Sequence, residues 1–226
     1  MKVILLSHTP EPDKLVAAAA RLCYAPIGAD QLLETMTEKQ VNRLVEDLLA
    51  MGHESPIEHV SFTFAIEGVS RAMSHQLVRH RLASYSQQSQ RYVKENAFDY
   101  IIPPSVQANP EAKEVFLRQM AAIQECYNQL ITFEIPREDA RYVLPNACET
   151  KIVMTMNARS LYNFFQQRLC LRAQWEIRAL AEAMRQELIK VSPLLFSKTG
   201  PSCETEGYCS QGKMSCGRKP TRENLR

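Results

Sequence analysis

The chain is poor in glycine. Of its seven glycines, Gly200, Gly207, Gly212 and Gly217 fall close to the C-terminus, and only Gly28, Gly52 and Gly68 precede them. Neither a G-x-G-x-x-G turn nor a Walker phosphate loop can be built from those three. A nucleotide, if one binds, must be held by arginines and side-chain amides. Charge of one sign is also missing: the net charge is +2, which argues against bulk nucleic-acid binding and confines basic character to local clusters. No apolar run approaches the ~18 residues that a bilayer span requires, so no membrane association is expected. Met1 to Ser7 is too short for a secretory signal, lacks a small-residue cleavage site, and reads as a buried first strand. Cysteine pairs at short spacing are absent as well. Cys23, Cys126, Cys148 and Cys170 are scattered singly, as reduced thiols of a cytoplasmic protein are. Cys203, Cys209 and Cys216 crowd the tail, but their spacing exceeds the usual C-x₂₋₄-C and no histidine lies nearby, so no metal site is expected.

What is present fits one core of ordinary size. Hydrophobic residues make up 45% and charged residues 23%, inside the range of soluble domains. Helical spacing marks 13–23, 38–51 (ending at Gly52), 109–133, 158 onward and 172–191. From Ser70 to about Arg81 the pattern is again helical, with Met73, Leu77 and Val78 inward and Arg71, His75 and Arg79 in a stripe. Pro136 opens a short helix through Val143. Alternation over 60–66 and the run 150–156 read as strands. There is no βαβ rhythm, repeat or low-complexity linker. The expectation is one α+β domain over 1–198, followed by a polar Cys/Gly/Lys/Arg-rich tail over 199–226 that the chemistry does not need.

Residues 79 to 91 carry the chemistry. Three arginines, one histidine, three serines and three glutamines share thirteen positions, with no Asp or Glu between Arg71 and Lys94. Uncompensated guanidinium forks among neutral hydrogen-bonders suit a phosphate attached to a polar ring. Arg79, His80 and Arg81 cannot share one helical face, because consecutive residues point about 100° apart. They serve different partners or sit where a helix ends. Ser89 as a nucleophile would need an oriented base, and a neutral donor is the better reading. His53, Glu58 and His59 lack the spacing of a zinc helix and sit after a glycine beside Pro56, so a capped turn is expected there. Asn157 stands where it can cap a helix, Arg168 at the end of one, and Arg141 where it can pair with Glu138 or a core-edge carboxylate.

Arg79-His80-Arg81 followed after seven residues by Ser89 resembles the signature of the flavin-dependent thymidylate synthases. Gly52–His59, Pro136–Arg141, Asn157–Leu161 and Ala173–Glu176 follow in that family's order, covering roughly 40 to 190. The resemblance implies a mainly antiparallel central sheet packed with long helices, and a homotetramer with active sites between subunits. It implies reductive methylation of dUMP to dTMP, with methylenetetrahydrofolate as carbon donor and NADPH acting through FAD. It assigns FAD to Ser55, Arg79, His80, Arg81, Gln87, Asn157, Ala158, Arg159 and Asn163. It assigns dUMP to Gln76, Arg79, Gln87, Gln88, Ser89, Gln90, Arg91, Arg141 and Arg168. Arg168 would also favour the ring-deprotonated form of dUMP, as the catalytic residue. Many members carry Glu where this chain has Gln87, so a base at that position is not implied.

Two rivals belong to other classes. A non-catalytic RNA- or nucleotide-binding module predicts exposed aromatics for base stacking, yet only Tyr85 and Tyr92 flank the arginines. A cysteine-dependent transferase wants a thiol beside a cation, whereas Cys148 adjoins Glu149. Bound flavin colour separates both from the synthase.

Overall fold

The computed structural model describes residues 1–92 and 97–222; Lys94 and the last four tail residues, 223–226, lie outside the described residues. The chain begins with β1 (Lys2–His8), α1 (Pro12–Leu22), α2 (Ala29–Thr35) and α3 (Glu38–Ala50). A 3₁₀ turn at Pro56–His59 leads into β2 (Ser61–Ser70), α4 (Arg71–Leu77) and β3 (Ser84–Gln87). Then come α5 (Pro104–Gln107), α6 (Pro110–Thr132), α7 (Arg137–Ala140), β4 (Glu149–Asn157) and α8 (Ala158–Arg168). The chain closes with α9 (Trp175–Val191), α10 (Pro193–Phe196) and α11 (Ser202–Thr205).

The four strands form one sheet in the order β1-β2-β4-β3. Thr9 bonds Ser61 while Lys2 pairs with Glu67, so β1 and β2 run antiparallel. Ala158 bonds Val60, Thr63 meets Thr155 and Arg71 bonds Cys148, which makes β2 and β4 antiparallel too. The architecture is the expected α+β domain.

Helix starts follow local chemistry. Thr37 and Gln40 close a reciprocal capping box on α3. Asn109 caps α6 ahead of Pro110, and Asn157 Oδ1 accepts the Ser160 N–H at 2.9 Å to start α8. The end of α3 is a Schellman turn: His53 N–H bonds the Leu48 carbonyl, Gly52 N–H bonds Leu49, and Gly52 sits at φ 72°.

Contacts divide the residues into two compact units. The first holds 1–2, 66–79 and 86–153. Within it α6 turns Met120 and Tyr127 inward, and Phe98, Met120 and Cys148 form a core lined by Phe116 and Ile123. The second holds 3–65, 80–85 and 154–226, including the described part of the tail. There α8 buries Ala158, Leu161, Phe164 and Phe165, and Phe62, Phe165 and Phe196 meet edge to face.

Three local expectations are corrected. β1 is a sheet edge with Ile4 38% and Leu6 53% exposed, not a buried strand, because an apolar run does not report how many neighbours cover it. α4 stops at Leu77 and leaves Val78 exposed, so Arg79 lies beyond the helix and the three-residue stripe does not form. No apolar residue past Leu77 anchors a further turn. α9 begins at Trp175 rather than 172, where the Gln174 side chain accepts the N–H groups of Glu176 and Ile177.

Candidate active site

In the second unit the fold joins two residues 88 positions apart: Arg168 Nε donates to His80 Nε2 at 2.9 Å. Arginine has only donors, so that imidazole nitrogen must accept and the ring is neutral, its proton on Nδ1. Burial, with Arg168 adding its charge, holds the His80 pKa down at about 4. Edge-to-face packing on Phe164, centroids 5.0 Å apart, fixes the ring. Tyr85 donates its hydroxyl to the His80 carbonyl at 2.9 Å, and burial pushes its own pKa up to about 12. Burial also lowers the Arg168 pKa from its ordinary value. Arg168 is therefore a half-buried cation steered by a neutral ligand.

Arg79 and Arg81 are exposed while His80 between them is buried. Among the described residues, no carboxylate pairs with either arginine. The triplet thus points its cations outward and its ring inward, a donor set suited to a pyrophosphate. Arg159 is held by Glu54 at 3.2 Å and by Glu58, and the Glu58 bond leads in raising its pKa. Glu58 is thereby engaged in an ion pair. Ser55 lies exposed at the same turn, ahead of the 3₁₀ turn, and Asn163 accepts from Gln167 at 2.8 Å. Ala158 is fully buried with its N–H committed to Val60, so its part is to pin the β4–α8 junction. The His53–Glu54 turn opens on a cavity of about 610 Å³ that Tyr162 and Gln166 of α8 also line.

The first unit gathers the other set. Gln87 Nε2 donates to buried Thr150 at 3.1 Å, and Arg71 holds the Gln88 carbonyl at 2.5 Å. Ser89 Oγ accepts the Arg91 N–H at 3.2 Å, a turn-forming bond rather than one to a general base. Gln90 is half-buried in that turn, and Gln76 half-buried on α4. Arg91 binds the Glu138 carboxylate through Nη2 at 2.7 Å and Nε at 3.0 Å, and stacks over Tyr92. Arg141 Nε takes the Glu138 carbonyl at 3.1 Å. The ion pair expected between Arg141 and Glu138 is therefore not the one formed, because Arg91 reaches that carboxylate from across the chain.

The sequence matches the family described as thymidylate synthase complementing protein over residues 4–194. The chain belongs to that family. Flavin-dependent thymidylate synthases of Clostridium tetani and Geobacter sulfurreducens are 53% and 52% identical to it, each alignment covering 96% of this chain and 94% of the relative. Among solved structures, the UMP/dUMP methylase PolB of Streptomyces cacaoi, bound with 5-Br dUMP, aligns with a TM-score of 0.76 at 26% identity. That alignment covers 87% of this chain and 93% of the other. For a flavin-dependent thymidylate synthase, the residues that sequence reasoning missed are Tyr85, Phe164 and Thr150. Each is a partner of an expected residue. Only Tyr85 carried a signal, since it lies inside the polar segment it braces.

Proposed function

We propose that the chain converts dUMP to dTMP, taking the carbon from methylenetetrahydrofolate and the reducing equivalents from NADPH by way of FAD. Bound FAD supplies the redox chemistry. The protein's own share is binding, orientation and charge. Arg79 and Arg81 set cations where a pyrophosphate can be received, with His80, Ser55, Gln87, Arg159 and Asn163 completing the cofactor's surroundings. Asn157 uses Oδ1 for its cap, which leaves its amide N–H₂ to donate to the cofactor. Gln76, Arg79, Gln87, Gln88, Ser89, Gln90, Arg91 and Arg141 hold dUMP, the arginines meeting its phosphate. Gln87 acts as an amide donor, as its bond to Thr150 illustrates, and not as a base.

The observation that carries this reading is the Arg168–His80 bond. Engaging Nε fixes the guanidinium plane and leaves the Nη edge for a planar partner. Its positive charge favours loss of a proton from the uracil ring and offsets negative charge that develops there. A neutral imidazole is the right anchor, because a carboxylate would cancel that charge. No protein nucleophile is needed.

The proposal includes a homotetramer with sites between subunits, supported by large apolar side chains left open on the single chain, Leu82 at 81% and Tyr142 at 84% exposed. It also includes a cytoplasmic location, where thiols stay reduced. The test is direct. Purified protein should be yellow, release FAD on denaturation, and form dTMP only with NADPH and methylenetetrahydrofolate together. A folded, colourless protein that forms no dTMP after FAD is added would refute the reading.

A further inference from the structure

The end of α8 and the tail border an open cavity of about 500 Å³ whose walls include four thiols, Cys170, Cys203, Cys209 and Cys216. All four are free. Three come from the tail, and the fourth stands two residues past Arg168. What holds the tail there needs explaining, since its apolar content is slight. Among the described residues from 201 to 222, only Pro201, Cys203 and Cys209 are buried, while Met214 is exposed. Its regular structure is two short turns, Ser202–Thr205 and Gly212–Met214, and a single bridge between Cys209 and Thr221. Segments this small usually need a staple beyond hydrophobic burial.

We propose that Cys170, Cys203, Cys209 and Cys216 form a thiolate site for a zinc-like divalent cation that clamps the tail to the end of α8. A four-cysteine set is a structural zinc site. The surroundings match its charge. Four thiolates and one divalent cation carry net −2, and Arg172 lines the same cavity without a carboxylate partner among the described residues. Arg218, the third arginine of the wall, is already paired with Glu204 at 2.8 Å. Arg172 binds the Gln211 side chain at 2.8 Å and holds its turn in place.

Among the described residues no three His, Cys, Asp or Glu side chains already stand as a metal cluster. Loading must therefore draw the sulfurs to roughly 3.8 Å from one another, the edge of a tetrahedron with Zn–S bonds of about 2.3 Å. Side-chain rotation and closing of the tail on α8 would do this. The role is structural, so dTMP formation is not its readout.

The test is metal content of the full chain, purified under reductant and dialysed after exposure to zinc sulfate. About one zinc per chain is expected, and cobalt in its place should show thiolate charge-transfer absorption. Cys203→Ser and Cys209→Ser should each weaken zinc binding by at least about tenfold. Cys126→Ser, on α6, should leave it unchanged. A reduced wild-type chain that retains no zinc overturns the proposal whether or not any variant folds. So does full zinc retention in the Cys203→Ser/Cys209→Ser double variant. A Cys203–Cys209 disulfide in a protein that takes up no zinc once reduced counts against it equally. Flavin content measured on the same samples keeps this outcome separate from the functional reading.

Discussion

Arg168 and Arg91 both lie in polar stretches that resemblance assigns to dUMP, and the fold treats them in opposite ways. Arg168 is half-buried and bonded to a neutral imidazole, so its charge is desolvated and uncompensated. Arg91 is 47% exposed and bonded to a carboxylate that is itself 51% exposed, so its charge is cancelled locally and screened by water. Electrostatic influence on a reacting ring is strongest where charge is pre-oriented in a poorly solvated place. In the proposed function Arg168 acts on the ring, and Arg91 positions a phosphate.

The largest effect that can break this contrast comes from Arg168→Lys. A point charge remains but the planar fork is lost, so turnover of dUMP should drop by roughly 10²-fold or more while flavin absorbance is kept. Turnover near normal at saturating NADPH and methylenetetrahydrofolate would show that Arg168 is not the acting cation. Arg91→Ala should move KM for dUMP instead, upward by about tenfold, with little change in kcat. An equal loss in kcat would put Arg91 in the chemical step and erase the distinction.

The pH dependence sharpens the comparison further. His80 is held neutral with its pKa at about 4, below the ordinary 6.5. The unfolded chain therefore takes up this proton first. The His80 contribution to stability is complete above about pH 6.5 and is lost as pH falls from there toward 4. Thermal unfolding of wild type and His80→Gln across pH 4 to 7 should show that slope reduced in the variant. Parallel profiles would mean that His80 does not titrate as the buried partner of Arg168. The smallest effect is expected at Glu138→Gln. Removing an exposed ion pair should cost about 0.2–1 kcal/mol of stability by chemical denaturation. A loss of several kcal/mol would make the Arg91 pair as structural as the Arg168 pair.

The helices were largely readable because their signals are short-range. Asn157 announces one cap, and helical spacing over 109–133 and 172–191 matches α6 and α9, which bury Met120, Tyr127, Leu180 and Met184. β3 was not readable. Ser84-Tyr85-Ser86-Gln87 has weak strand preference, and it pairs only because β4 offers an open edge. α2 escaped for a related reason, since Leu32 is its one buried residue. Of the candidate site, residue identities were legible, whereas their partners were not. Nothing near Arg91 in sequence marks Glu138 as its acceptor, and nothing near Arg168 marks His80.

The sequence by itself determined the long helices, the absence of a glycine phosphate loop, and a local excess of guanidinium and amide donors. Those properties depend on residues within about four positions of one another, where backbone capping and side-chain spacing act. Only the tertiary structure decided which charges are cancelled and which are left to act. It turned His80 into a neutral acceptor for Arg168, gave Arg91 to Glu138, and carried Cys170 to the three tail cysteines. These meetings join residues far apart in the chain, and packing of the intervening core sets them.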